Sequence, residues 1–406
     1  MAPPGHAVAL AGQVLVRKDR VLARSQPTRP ATRRRRSPDA RGDTHLRPVW
    51  DDDPVDDQGP RSVDNPACWL AADLAARPGW CRTLTDPEIA ELVAALRHAE
   101  ARHGLDDLAT WRAEDFPLPR FGAALDGLRG ELVDGCGVTV LEGFPVQAHT
   151  KAELRALWWG IGLHLGTALA QSSRGDVIGD VRDLGTGISG KAGRGYTSNV
   201  ELGWHSDAAD VTALFFLRQG ASGGTSGFAS SVAVHNELLR RRPDLMDLLY
   251  QPMPVSWQSN QLPGERPWYE MPVYGRVGEH TACAYVSTNV LLAHRNAGAP
   301  PLTAAQEEAV RAVGAVAREP EFGLMRHFGP GTMLFVNNHT VFHLRTAFTD
   351  DATDPEERRH LLRLFLCLPN GRELPRTFAG YFRDVRAGTV RGGYPTLAAE
   401  PVFHTA

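Results

Sequence analysis

At 406 residues, 42% of them hydrophobic, the chain can bury a sizeable core and could hold two or three domains, or one large β-barrel or sandwich with insertions. A formal charge of -3 gives no global attraction to nucleic acid or an anionic membrane, and no run of about 18 apolar residues is present to span one. Five cysteines, an odd number without C-x-x-C spacing, point to neither a disulfide framework nor a cysteine zinc site; with no signal-peptide pattern they fit a reducing cytoplasm.

Residues 1–60 are predicted to be a disordered tail. Arg33 to Arg36 form an unbroken basic run, Pro recurs, and Asp51 to Asp53 with Asp56 and Asp57 make an acidic block. Such a segment buries too little apolar surface to offset its ordering entropy. Residues 61–190 read as a helical part packing on a core. Thr85 and Glu88 form a capping box for a helix carrying Ile89, Leu92, Val93 and Leu96. Thr150 and Glu153 do the same for a helix carrying Leu154, Leu157, Trp158, Ile161 and Leu165. His164, beside that stripe, reads as a satisfied core or boundary histidine. Between the two helices, Gly137 to Gly143 is predicted to be a short strand. Gly185-x-Gly187-x-x-Gly190 imitates a dinucleotide fingerprint, but no clear strand enters it and no helix leaves it. Residues 185–195 are therefore predicted to be a mobile loop.

Chemistry enters at Tyr196 to Asp207, which reads Tyr-Thr-Ser-Asn-Val-Glu-Leu-Gly-Trp-His-Ser-Asp. In a β-strand side chains alternate faces, so His205 and Asp207 point the same way. A second His from a distant strand would give two His and one carboxylate on one face of an ion, which suits non-haem Fe(II) and leaves positions open. With 15 His in the chain, a His-x-acid triplet arises about once or twice by chance. The two other triplets, His98-Ala-Glu100 and His235-Asn-Glu237, fall in predicted helices. There, residues two apart sit about 200° apart around the axis and cannot chelate one ion. Only the 205/207 pair has extended surroundings, being followed by the β-branched and aromatic run Val211 to Leu217.

Downstream come a turn from Gly220 to Thr225, a strand from Phe228 to Val232, and a helix from about Val234 to Leu239 that Pro243 interrupts. Thr281 to Val286 is strand-like, and Trp257, Trp268 and Tyr269 serve as core or as pocket wall. Thr303 and Gln306 cap a helix carrying Val310, Val313 and Val316. A strand from Thr332 to Val336 leads into Asn337-Asn-His-Thr-Val-Phe-His343, and another runs from Arg358 to Leu366. Many short strands with helices inserted at few places predict a mostly β fold with a jelly-roll core over 191–375 and a C-terminal extension over 376–406.

The order Asn199-x-x-Leu202-x-x-His205-x-Asp207, Gly223-Gly-Thr225, Asn337-Asn-(x)4-His343-x-Arg345-x-x-Phe348 and Arg359-His-Leu resembles the taurine dioxygenase family of Fe(II)- and 2-oxoglutarate-dependent oxygenases. The resemblance is close over about 190–370 and looser before it. It implies a double-stranded β-helix and an iron held by His205, Asp207 and His343. His339 rivals His343, since the two share strand parity; the family pattern favours His343, which closes the Asn-Asn motif and precedes x-Arg. The resemblance also places the far carboxylate of 2-oxoglutarate against Arg359 and Thr225. Arg363 is an alternative clamp or a contact for an acidic group of the prime substrate. Asn199 and Trp204 flank the motif and line the substrate side.

The implied reaction consumes O2 and 2-oxoglutarate, releases succinate and CO2, and oxidises a C–H bond of a small organic metabolite, in specialised metabolism. Asp207 leaves no ligand site vacated for chloride, so hydroxylation is expected over halogenation; desaturation and cyclisation share the same centre. Two other readings stand beside it: a zinc hydrolase, although no H-E-x-x-H motif occurs, and a non-catalytic metal-binding jelly roll. Partners are a small-molecule substrate, with no nucleic acid or membrane; a homo-oligomer is compatible with the sequence.

Overall fold

The computed structural model describes residues 59–185, 197–351, 353–398 and 401–403. The tail predicted over 1–60 and the loop predicted over 185–195 therefore lie almost wholly outside the described residues, as does Tyr196. No helix among the described residues is long and apolar enough to cross a membrane.

Two β-sheets carry the structure. The larger has seven strands, in the order Cys81–Thr83, Val138–Glu142, Met333–Asn337, Val211–Arg218, His360–Cys367 and Thr167–Ala168, with Ile178–Val181 also paired to His360–Cys367. The smaller has Leu324–Arg326, Ser226–Ser230, Val341–Arg345 and Leu202–His205. All pairings are antiparallel except that of Cys81–Thr83 with Val138–Glu142. The larger sheet thus draws strands from both sides of residue 190, because the segment before it supplies four of them.

Met333–Asn337 and His360–Cys367 are buried at every position, which sets them between two packed layers. Side-chain alternation sorts His360–Cys367 between those layers. Leu362, Leu364 and Leu366 pack outward with Leu154, Leu157, Trp158 and Ile161 of the helix Lys151–Leu165. Leu361 packs inward with Phe228 and Val341 of the smaller sheet. Arg363 has the parity of Leu361 and so belongs to the inner side, whereas Arg359 precedes the strand, beyond a register shift between His360 and Leu361.

The capped helices form as their signals require. Thr85 and Thr150 cap Asp86–His103 and Lys151–Leu165, each with a reciprocal Glu, and Thr303 caps Ala304–Arg318 with Gln306. His164 is satisfied, its Nε2 lying 2.6 Å from the Phe116 carbonyl. Elsewhere local chemistry moves the boundaries. The strand expected to reach Val232 ends at Ser230, whose hydroxyl accepts the Ala233 amide at 2.9 Å and starts the helix Ser231–Arg241. Pro243 opens a new helix, Pro243–Leu249, where its missing N–H costs nothing. The strand expected over Thr281–Val286 spans His280–Cys283. A helix without a side-chain cap, Phe121–Val133, was not signalled because Gly122, Gly127 and Gly130 interrupt its pattern. All five cysteines are free.

Trp158 is fully buried between the helix and the larger sheet, its ring centroid 5.4 Å from that of Phe215 and 5.6 Å from that of Phe335. Trp158→Ala is expected to destabilise the fold by about 3–5 kcal/mol, read as a lowered midpoint in urea unfolding.

Candidate metal centre

His205 is the last residue of its strand, and its partner across the ladder is His343 of Val341–Arg345. Residues directly opposite in an antiparallel pair project on the same face, so the register alone brings two imidazoles together, with ring centroids 4.2 Å apart. Asp207 lies beyond the strand, where pleat alternation no longer governs it. Its place is set by hydrogen bonds: its amide donates to Oδ1 of Asn338 at 2.9 Å, and the Thr212 hydroxyl donates to its Oδ2 at 2.8 Å. Asn338 is itself fixed by donating to the Ala209 carbonyl at 3.0 Å and to the Thr212 hydroxyl at 3.1 Å.

Nε2 of His343 lies 3.4 Å from Oδ2 of Asp207, and Nε2 of His205 lies 4.0 Å from its Oδ1. One ligand atom from each of the three falls within 4.8 Å of the others, the one such group of His, Cys, Asp and Glu found among the described residues. Nδ1 of His205 is 2.8 Å from the Gly203 carbonyl. A carbonyl only accepts, so Nδ1 carries the proton and the Nε2 lone pair is left for a cation. Burial, then the neighbouring His343, push the His205 imidazole down to about 4, which keeps it neutral and ligand-competent. Burial alone would raise the Asp207 carboxyl, but the hydrogen bond with His343 and the Arg363 charge hold it well below the usual carboxylate range.

His339 is not part of this group. It sits in the turn joining Met333–Asn337 of the larger sheet to Val341–Arg345 of the smaller, with its Nε2 2.9 Å from Oδ1 of the buried Asp210. Parity passes along a continuous strand, and here the chain changes sheets.

His205 and Asp207 border a cavity of about 410 Å³. Its walls are mainly apolar and aromatic, including Trp204, Trp257, Tyr269, Tyr381 and Phe365, and Arg363 is its buried cation. The Arg363 Nε donates to Oε1 of Gln171 at 2.7 Å, and the guanidinium lies 4.4 Å from the Phe365 ring centroid. Trp257 and Tyr269 are thus pocket wall, packed on each other at 4.4 Å, while Trp268 is buried with its Nε1 donating to the Ala297 carbonyl at 3.3 Å. Asn199 is exposed and does not line the cavity; its carbonyl accepts the Phe348 amide at 3.0 Å.

Arg359 occupies a separate buried niche. Its Nε donates to Oε1 of Gln219 at 3.1 Å, its amide donates to Asp350 at 2.9 Å, and its buried Nη1 has no partner. Phe348 lies between two guanidinium groups, 4.8 Å from that of Arg359 and 4.7 Å from that of Arg345. Burial, reinforced by the Arg345 charge, pulls the Arg359 guanidinium down to about 9. A buried cation with an unused donor is the environment that takes up an anion. Thr225 adjoins this niche: a Cβ on the preceding Gly224, at φ +68°, would lie 3.0 Å from the Arg359 Nε. The Thr225 amide donates to the Thr346 hydroxyl at 3.0 Å.

Residues that sequence reasoning passed over are Thr212, Asn338, Asp210, Gln171, Gln219 and the wall residues Tyr381, Phe382 and Tyr394. Asn338 had a signal, since it is the second Asn of the Asn-Asn motif; the others carry none in their local spacing.

Two imidazoles and a carboxylate beside an apolar cavity between two sheets define a candidate mononuclear, non-haem metalloenzyme. The model of the "Taurine catabolism dioxygenase TauD, TfdA family" matches residues 104–365. The chain is 31% identical over 335 residues to FR-33289 synthase of Streptomyces rubellomurinus, covering 80% of this chain and 96% of that protein. It is 28% identical over 312 residues to taurine hydroxylase-like protein SAT17 of Stachybotrys chartarum, covering 74% and 79%. Its fold is similar to that of a solved asparagine oxygenase complex with Fe(II), 3-hydroxyasparagine and succinate (TM-score 0.55, 20% identity, 71% of this chain and 93% of that one). It is also similar to the non-haem iron oxygenase OrfP with Fe and α-ketoglutaric acid (TM-score 0.52, 17% identity, 71% and 94%). The chain belongs to the TauD/TfdA family and is an Fe(II)- and 2-oxoglutarate-dependent dioxygenase.

Thr212→Val, which removes only the hydroxyl that orients Asp207, is expected to weaken divalent-metal binding about 10- to 100-fold, measured by calorimetric titration of Mn(II).

Proposed function

We propose that His205, Asp207 and His343 hold Fe(II) in a double-stranded β-helix (jelly-roll) core, and that the enzyme hydroxylates a C–H bond of a small organic molecule while 2-oxoglutarate becomes succinate and CO2. The observation that carries this reading is the convergence of the three ligand atoms within 4.8 Å, with His205 and Asp207 bordering the cavity. The donor set fits iron: two imidazoles and one carboxylate suit Fe(II) and leave positions for co-substrate and dioxygen. When bound, the iron supplies the oxidising chemistry, with 2-oxoglutarate as the source of electrons.

The protein's own groups bind and orient. Arg359, with its unpartnered Nη1 and its Nε held by Gln219, takes the far carboxylate of 2-oxoglutarate, and the Thr225 hydroxyl supports it. Phe348 packs its ring 4.8 Å from that guanidinium and helps to hold it in place for a planar carboxylate. Arg363, on the inner side with Asp207, offers its charge to the acid group nearest the metal, whether of 2-oxoglutarate or of the prime substrate. Trp204 and the other aromatic walls exclude water and present flat apolar surface to the substrate body. Asn199 acts at one remove, fixing Phe348 through its carbonyl.

The deciding experiment is anaerobic addition of Fe(II) and 2-oxoglutarate while the visible metal-to-ligand band is recorded, followed by a substrate screen for succinate release. Asp207→Ala and His343→Ala are each expected to lose both the band and succinate production; wild-type succinate from either variant overturns the triad. Arg359→Ala is expected to raise the 2-oxoglutarate Kd by roughly 10- to 100-fold, the loss of a charge-assisted contact, with iron affinity kept. Unchanged co-substrate affinity in that variant transfers the clamp to Arg363.

A further inference from the structure

The family match ends at residue 365, yet Tyr381, Phe382 and Tyr394 complete the cavity wall. The segment carrying them is fastened to the loop that follows Asp207. Arg391 is fully buried; its Nε donates to Oδ1 of Asp210 at 2.9 Å, and its Nη1 donates to the carbonyls of Val385 and Arg386 at 3.2 and 3.1 Å. Asp210 also takes the His339 imidazole at 2.9 Å, the Leu368 amide at 3.1 Å and the Cys367 thiol at 3.4 Å. Every group around this carboxylate is thus a donor. Burial alone would raise it, but the hydrogen bond with His339 and the Arg391 charge hold it down, at about 2.

Beside the ion pair the backbones join directly. The Gly393 amide donates to the Ala208 carbonyl at 2.7 Å, and Ala208 is the residue after Asp207. Gly392, at φ +79°, packs against the same group; a Cβ there would lie 2.7 Å from the Ala208 carbonyl oxygen. The Tyr381 hydroxyl donates to the Gly393 carbonyl at 3.1 Å, so one wall residue hangs from the same fastening.

A buried ion pair gains little net stability over apolar groups of the same shape, because desolvation consumes most of the attraction; its best-attested use is to fix one arrangement among several. What this pair fixes is the loop Ala208–Asp210 against the C-terminal segment. We propose that Arg391 is a positioning residue for the metal centre: through Asp210 it holds the loop that places the Asp207 carboxylate, and it brings the Tyr381–Tyr394 wall over the same site. The inference rests on the assignment of Asp207 as a metal ligand. Metal affinity and the shape of the substrate wall then depend on one buried contact.

The test compares full-length wild type with Arg391→Gln, Arg391→Lys and Gly392→Ala. Co(II) alone is the metal probe, and amide hydrogen exchange of the metal-free protein is the second readout. Arg391→Gln and Gly392→Ala are expected to weaken Co(II) binding about 10- to 100-fold and to shift its visible ligand-field spectrum. Exchange at Ala208–Val211 should speed up while that of Val138–Glu142 stays unchanged, and Arg391→Lys should recover part of the affinity. Co(II) affinity and spectrum like the wild type's in both variants, with unaltered exchange in the loop, overturn the proposal. If Arg391→Gln does not fold, Gly392→Ala decides alone. If the wild type binds no Co(II), the ligand assignment fails, and the exchange measurement still decides whether the clasp holds the loop.

Discussion

The candidate site depends first on one line of register: His205 opposite His343 across two antiparallel strands of the smaller sheet. Strand pairing has a period of two, so a one-residue slip would turn one imidazole to the other face and separate the pair. The register is fixed well away from the histidines. Val341–Arg345 also pairs with Ser226–Ser230 over five consecutive positions, and Val341 and Phe342 are fully buried. Hydrophobic burial therefore sets the position of two polar side chains that contribute little to the core.

The third member is placed by different physics. Asp207 has left the strand, and its position comes from Thr212 in the larger sheet and Asn338 in the turn between sheets. That arrangement couples the two layers. Asp207, Thr212 and Asn338 each find hydrogen-bond partners within it, as buried polar groups require if they are not to cost stability. Asp210 and Arg391 extend the network to the C-terminal segment, which supplies the wall residues Tyr381, Phe382 and Tyr394.

Two buried cations, one in His360–Cys367 and one just before it, have distinct surroundings. Arg363 has Gln171, Phe365 and the Asp207 carboxylate near it, whereas Arg359 has Gln219, Phe348 and an unused buried donor. Their four-residue spacing would put both on one face of an unbroken strand, but Arg359 lies before the strand and a register shift separates it from Leu361, so their neighbours distinguish them. The neighbours make Arg359 the stronger candidate for an anion that arrives from solution, since its Nη1 lacks any protein acceptor.

The capping boxes at Thr85, Thr150 and Thr303 were legible because they are chemistry within four residues, and so were the buried strands Val211–Arg218 and His360–Cys367, whose composition is uninterrupted. The pair His205 and Asp207 stood out by its spacing, but the expected reason, strand alternation, does not reach Asp207, because the strand ends at His205. Parity could not choose between His339 and His343, although the family pattern favoured His343, because parity assumes an unbroken strand and the chain changes sheets at Asn338 to Thr340. Nor could spacing reveal Thr212 beside Asp207, or Arg391 on Asp210, a contact spanning 181 residues. The sequence by itself determined which residue types were available and how each short segment would fold, since those are set by hydrogen bonds and periodicity over a few positions. Tertiary structure decided which imidazole faces Asp207 and what surrounds each arginine, because only the packing of one sheet on the other fixes distances between residues far apart in the chain.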